Sequence, residues 1–152
     1  MAVVPAGLPA PDFTLARREG EPFTRSDLEG KTTVLVFYPF AFSPVCTDQL
    51  NVYNELLDDF GQRGATLYGV SCDAVWSQAA FRDQLGVDIE QLSDFEPKGA
   101  TCRVFGVLHP GGFAQRALVL IGPDGVVRWS YESPSPSELP GANLIFDALD
   151  TL

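Results

Sequence analysis

The apolar positions of the chain fall into alternating strand-like and helix-like stretches. Thr32-Thr33-Val34-Leu35-Val36-Phe37-Tyr38 is an unbroken β-branched and aromatic run, which predicts a strand covered on both faces. Ala65 to Ser71 repeats that character and predicts a second central strand. Between them, Tyr53, Leu56, Leu57 and Phe60 recur at i, i+3, i+4 and i+7, predicting one amphipathic helix from Pro44 to Phe60, closed by Gly61 and Gly64. Asp12 to Ala16 alternates and reads as a first strand, and Thr24 to Leu28 as a short turn capped by Ser26. Ser77 to Leu85 reads as a helix ended by Gly86, Gln91-Leu92-Ser93 as a short edge strand, and Gly99 to Phe105 as a helix. Ala117 to Ile121 and Val126 to Tyr131 flank Gly122-Pro123-Asp124-Gly125, a hairpin turn, and Leu139 to Leu152 reads as the last helix. This order predicts one domain over residues 1–152, of α/β class.

Candidate chemistry concentrates where the first central strand meets the first helix, in Pro39-Phe40-Ala41-Phe42-Ser43-Pro44-Val45-Cys46. A cysteine in the first helical turn faces the positive end of the helix dipole, which favours the nucleophilic thiolate. Pro39, then Ser43, then Cys46 reproduce the spacing P-x-x-x-[ST]-x-x-C of the peroxiredoxins, and the chain resembles that family. Gly69-Val70-Ser71-Cys72-Asp73, Leu92-Ser93-Asp94-Phe95 and Phe105-Gly106-Val107 are similar to further landmarks of the family, in the same order. The segments FYPFAFSPVC and LSDFEPKGA are most similar to the AhpE-like, one-cysteine type subgroup. The resemblance implies a thioredoxin-like fold, with a central mixed sheet flanked by helices, and a thiol peroxidase.

Reduction of a peroxide by a thiol is a displacement at oxygen. It needs a stabilised thiolate, donors aimed at both oxygens and walls that exclude water. Cys46 is the candidate nucleophile. The N–H groups of Val45 and Cys46 at the helix start are candidate donors, as is the Ser43 hydroxyl. Pro39 shields the thiolate side, and Phe40 and Phe42 are candidate apolar wall. The resemblance implies a late arginine over the thiolate. Arg116, just before Ala117, fits that place better than Arg103 or Arg128, and Gln49 fits the residue that orients it. Ser43 stands where threonine is commoner in the family.

The other two cysteines have two readings. Asn51 occupies a place where some subfamilies keep a resolving cysteine, and the chain ends at Leu152 with no cysteine-bearing C-terminal arm. Cys72 is therefore either a packed thiol or a resolving one, and Cys102 reads as packed. Without a clear resolving residue, an external thiol is expected to recycle Cys46: a low-molecular-weight thiol, a glutaredoxin-like protein or thioredoxin. A thioredoxin-fold redox sensor or binding module is the reading from a different class. The resemblance also suggests a homodimer, through loops including Phe42 and Phe95.

Composition narrows the partners. A net charge of −10 opposes binding to nucleic acid or anionic membranes. Three cysteines, without a C-x-x-C, fit a reducing compartment such as the cytoplasm, and the N-terminus shows no secretory signal. The cysteines are scattered along the chain and His109, the one histidine, reads as a plain loop residue. No metal, phosphate-binding loop or cofactor site is expected.

Overall fold

A computed structural model describes residues 2–152. Seven strands form one mixed sheet: β1 (Thr14–Ala16), β2 (Pro22–Thr24), β3 (Thr32–Phe37), β4 (Ala65–Ser71), β5 (Glu90–Ser93), β6 (Ala117–Ile121) and β7 (Val127–Glu132). They lie in the order β2-β1-β5-β4-β3-β6-β7. β3 pairs parallel with β4, and β4 parallel with β5. The remaining pairs are antiparallel, including β3 with β6. The helices are α1 (Pro44–Glu55), α2 (Leu57–Gln62), α3 (Val75–Leu85), α4 (Ala100–Val104) and α5 (Ala142–Asp150).

Strand alternation divides the core in two. Val34, Val36, Leu118 and Leu120 face a cluster that holds Cys46, Leu50, Tyr53, Phe60, Phe81 and Ile145. Leu35, Phe37, Val119 and Ile121 face the other way, onto Phe13, Phe23, Phe105, Cys72 and Cys102. Successive side chains on a strand point to opposite faces, so the central strands, buried throughout, serve both clusters. That explains why Thr32 to Tyr38 shows no polar alternation.

Four expectations are corrected. The helix expected from Pro44 to Phe60 is two helices. Tyr53 O accepts from Leu56 N–H at 3.2 Å, one residue early, and this 3-10 step tilts the chain into α2. Gln91 to Ser93 is not an edge: β5 runs between β4 and β1. The outer place is taken by β2, within the segment preceding Thr24 that had no predicted strand, and Pro22 sits at that edge, where its missing N–H leaves no ladder bond unmade. The turn over Arg25–Leu28 is capped by Asp27, whose Oδ2 accepts the Thr24 N–H at 2.7 Å, and not by Ser26. The last helix starts at Ala142, three residues later than expected.

Gly69 is one of the glycines that a close approach favours. Gly69 lies beside Gln91 in the sheet register, and a Cβ there would sit 2.4 Å from the Gln91 side-chain oxygen. That oxygen accepts the buried Tyr38 hydroxyl at 2.7 Å. Burial pushes the Tyr38 phenol well above its ordinary range.

Candidate active site

β3 delivers Tyr38 and Pro39 to the carboxyl end of the sheet, and the chain turns through Phe40, Ala41 and Phe42 into α1. Phe42 has φ 72°, left-handed for a residue with a side chain. Its ring packs on Phe81 at 5.1 Å between centroids, which holds the turn. Asp73, two residues past β4, fastens the turn from below: its Oδ2 accepts the Ala41 N–H at 2.8 Å and the Ser71 hydroxyl at 2.8 Å.

Ser43 is the N-cap residue of α1, yet its side chain does not cap it. Its Oγ donates to Phe40 O at 2.9 Å instead. The N–H groups of Val45 and Cys46 are thus left without a side-chain cap, and no carboxylate stands in the first turn to compete for them. Pro44 at the first helical position removes a donor that had no partner to make.

The buried residues of α1 are Cys46, Gln49, Leu50 and Tyr53, one helical stripe at i, i+3, i+4 and i+7. Arg116, immediately ahead of β6, reaches that stripe. It is 2% exposed, and all three of its nitrogens are bonded. Nη2 donates to Cys46 Sγ at 3.1 Å, Nη1 to Gln49 Oε1 at 2.6 Å and Nε to Pro136 O at 2.8 Å. Gln49 Nε2 in turn donates to Tyr53 Oη at 3.3 Å, and the Tyr53 hydroxyl donates to Pro140 O at 2.6 Å. Burial pushes the Tyr53 phenol up to about 12.

No carboxylate pairs with Arg116 among the described residues. A buried guanidinium without a counter-charge is costly. Cys46, wholly buried, is the thiol that this guanidinium contacts.

A cleft lies over these groups, lined by Pro39, Phe40, Ser43, Pro44, Val45, Phe113, Arg116, Pro136 and Ser137. Pro39, Phe40, Ser43, Val45 and Arg116 are expected there from the sequence. Phe42 does not join them, since its ring turns to Phe81. Its place in the wall is taken by Phe113, tilted against Phe40 at 4.8 Å and stacked on His109 at 4.1 Å. His109 thus braces the wall, and its Nδ1 accepts the Gly111 N–H at 2.8 Å. Tyr53, Phe113, Pro136 and Asp73 are parts of the site that sequence reasoning missed. For Tyr53 a signal existed, because Cys46, Gln49 and Tyr53 share helical spacing; the others are joined to the site only by folding.

Cys72 does not approach this site. It belongs to the cluster on the opposite face of the sheet, where its sulfur lies 3.9 Å from that of Cys102. The thiols that look scattered in the sequence are in fact neighbours.

A mixed sheet with a helix-start thiol under a buried arginine defines the class of thioredoxin-fold thiol enzymes. The AhpC/TSA family model matches residues 6–130, and the chain belongs to that family, the peroxiredoxins, as a thiol peroxidase. It is 30% identical to alkyl hydroperoxide reductase E of Mycobacterium tuberculosis over 148 residues, 96% of each chain. A peroxiredoxin of Thermoplasma volcanium is 32% identical over 85% of this chain, which spans 66% of that relative. Among solved structures, peroxidoxin BcpB from M. tuberculosis superposes with a TM-score of 0.85 at 28% identity, covering 98% of both chains. Peroxiredoxin Q of Xanthomonas campestris superposes at 0.83 with 29% identity, covering 96% of this chain and 97% of that one. No helix among the described residues is long and apolar enough to cross a membrane.

Proposed function

We propose that Cys46 is the peroxidatic thiol of a one-cysteine type peroxiredoxin acting on hydrogen peroxide, alkyl hydroperoxides or peroxynitrite. The observation that carries this reading is the buried Arg116, whose Nη2 donates to Cys46 Sγ and which has no carboxylate partner. A thiolate there neutralises the guanidinium and accepts its charge-assisted bond.

The thiolate attacks one peroxide oxygen along the O–O axis. An S–O bond forms, the O–O bond breaks, and the leaving alkoxide or hydroxide takes a proton to become alcohol or water. The sulfur becomes a sulfenic acid. Arg116 and the N–H groups of Val45 and Cys46 are placed to hold the two oxygens as charge passes between them. Pro39, Phe40 and Phe113 keep water out of the cleft, and the Ser43 hydroxyl, whose hydrogen goes to Phe40 O, offers its oxygen as an acceptor for the peroxide O–H. The electrons come from sulfur, so the reaction balances without a bound cofactor or metal.

Recycling by an external thiol is supported by the position of Cys72 and Cys102 across the sheet. A low-molecular-weight thiol, a glutaredoxin-like protein or thioredoxin attacks the sulfenic sulfur, releasing water, and a second thiol then frees Cys46. A relative that matches nearly the full length is an alkyl hydroperoxide reductase by name, which supports alkyl hydroperoxides within the substrate range. The single sheet supports one domain. The free thiols suit a reducing compartment such as the cytoplasm. Phe42 and Phe95, both about half exposed, support a homodimer formed through these loops.

Peroxide-consumption kinetics test the reading. Cys46→Ser abolishes turnover, and full activity in that variant overturns the assignment. One equivalent of peroxide leaves wild-type protein with one added oxygen on Cys46. A Cys46–Cys72 crosslink at that point would replace the one-cysteine route with an internal resolving step.

A further inference from the structure

Across the sheet from the arginine-held thiol, two more cysteines are built into contact. Cys72 directly follows the last residue of β4, and Cys102 lies in the middle of α4, with 3.9 Å between the sulfurs. Asp94, just past β5, fixes that helix: its oxygens accept the N–H groups of Thr101 at 3.0 Å and Cys102 at 2.8 Å. The backbones carrying the two sulfurs are thus positioned by other bonds, and what remains to form a disulfide is a side-chain approach to about 2 Å.

We propose that Cys72 and Cys102 form a second redox couple, an intramolecular disulfide made by hydroperoxide independently of Cys46 and on the opposite face of the sheet. Cys72 is the entry point, being 7% exposed where Cys102 is fully covered. The two sulfurs are within hydrogen-bond reach, and that contact lowers the Cys72 thiol below its ordinary value; the same contact, then burial, pushes Cys102 up. Its greater exposure and this asymmetry both favour Cys72 as the thiol that reacts first.

The Cys72 thiolate attacks a hydroperoxide oxygen, forming an S–O bond as the O–O bond breaks, and the alkoxide leaves and is protonated. The Cys102 sulfur then attacks Cys72, forming the S–S bond and breaking the S–O bond. Hydroxide leaves and, with the Cys102 proton, becomes water. Two thiols are oxidised by two electrons, and the hydroperoxide is reduced to alcohol and water.

A metal would use the same place, since Cys72, Asp94 and Cys102 have ligand atoms within 4.8 Å of one another. Both Asp94 oxygens are already engaged by α4, and no fourth cysteine, histidine or carboxylate joins the group among the described residues. A closed tetrahedral zinc site takes four ligands. The disulfide is the better fit.

The experiment uses the full chain with Cys46→Ser, so that it stands or falls apart from the peroxidatic assignment. Reduced protein is treated with excess tert-butyl hydroperoxide, its free thiols are blocked, and it is analysed by intact mass and peptide mapping. The expected result is the loss of two hydrogens, a Cys72–Cys102 linked peptide, and reversal by dithiothreitol. In Cys46→Ser/Cys102→Ala, the expected result is oxygen added at Cys72 with no crosslink. Two blockable thiols persisting after oxidation overturn the proposal. So does one zinc per chain in the purified protein that Cys102→Ala abolishes.

Discussion

On one face of the sheet the sulfur of Cys46 meets the guanidinium of Arg116 at 3.1 Å; on the other, that of Cys72 meets Cys102 at 3.9 Å. All three thiols are buried, and burial alone makes a cysteine a small hydrophobe. What separates them is the neighbour. Cys46 stands at the start of a twelve-residue helix, beside a buried cation and under an apolar cleft. Cys72 has a second thiol for a partner, and the charged groups around it, Asp94, Lys98 and Asp73, are of both signs; burial pushes the Asp94 carboxylate towards the neutral form. The Cys46 neighbourhood suits the proposed attack on a peroxide. The Cys72 neighbourhood, with two free thiols 3.9 Å apart, suits the proposed disulfide.

The sharpest way to break this comparison is to remove the cation. Arg116→Ala is expected to lower kcat/KM for peroxide by about 10²–10³-fold, the usual cost of losing one donor to a developing charge. Equal rates in wild type and Arg116→Ala would make the two faces chemically alike. A smaller effect is expected from the residue that aims the arginine. Gln49→Leu leaves Nη1 without its 2.6 Å partner, and is expected to cost about 1–3 kcal/mol in denaturant unfolding and on the order of tenfold in kcat/KM.

Tyr53 sharpens the comparison through pH. Its phenol is held near 12 in the folded chain against an ordinary value of 10, so the unfolded chain loses this proton first. Its contribution to stability is constant below pH 10 and falls between pH 10 and 12, by roughly 2–3 kcal/mol for two pH units. Tyr53→Phe removes that part of the decline, measured as the difference in unfolding free energy between variant and wild type. The smallest effect belongs to the other face. Cys102→Ala is expected to cost about 1 kcal/mol of stability. It should leave the initial rate of peroxide consumption within about twofold, and a larger fall in that rate would tie the two thiol sites together.

How much of this could be read from the residues follows from where each signal lies. The strands β3, β4 and β6 were legible because strands buried on both faces must be continuously apolar. Short β2 carries three residues and one apolar side chain, too little for a periodic signal. The helix break at Leu56 was hidden because the apolar spacing runs through it. For the site, Pro39, Ser43, Val45 and Cys46 are close in sequence and were read together. Gln49 adds one helical turn. Arg116 was reached through resemblance, and its contact at 3.1 Å is between residues seventy positions apart. Phe113 and Pro136 had no comparable landmark.

The local chemistry was determined by the sequence itself: a thiol in a first helical turn behind a proline and a hydroxyl, on an α/β chain with apolar central strands. Those features depend on neighbouring residues and on periodicity, which the chain carries without reference to its fold. The tertiary structure alone decided the pairings. It gave Cys46 a buried arginine, turned Phe42 away and brought Phe113 in, and it set Cys72 against Cys102 on the opposite face. Strand side chains alternate, so residues at the end of one strand are sorted to one face or the other by register. Only the folded sheet, which closes loops of thirty to seventy residues, could place a cation beside one thiol and a thiol beside another.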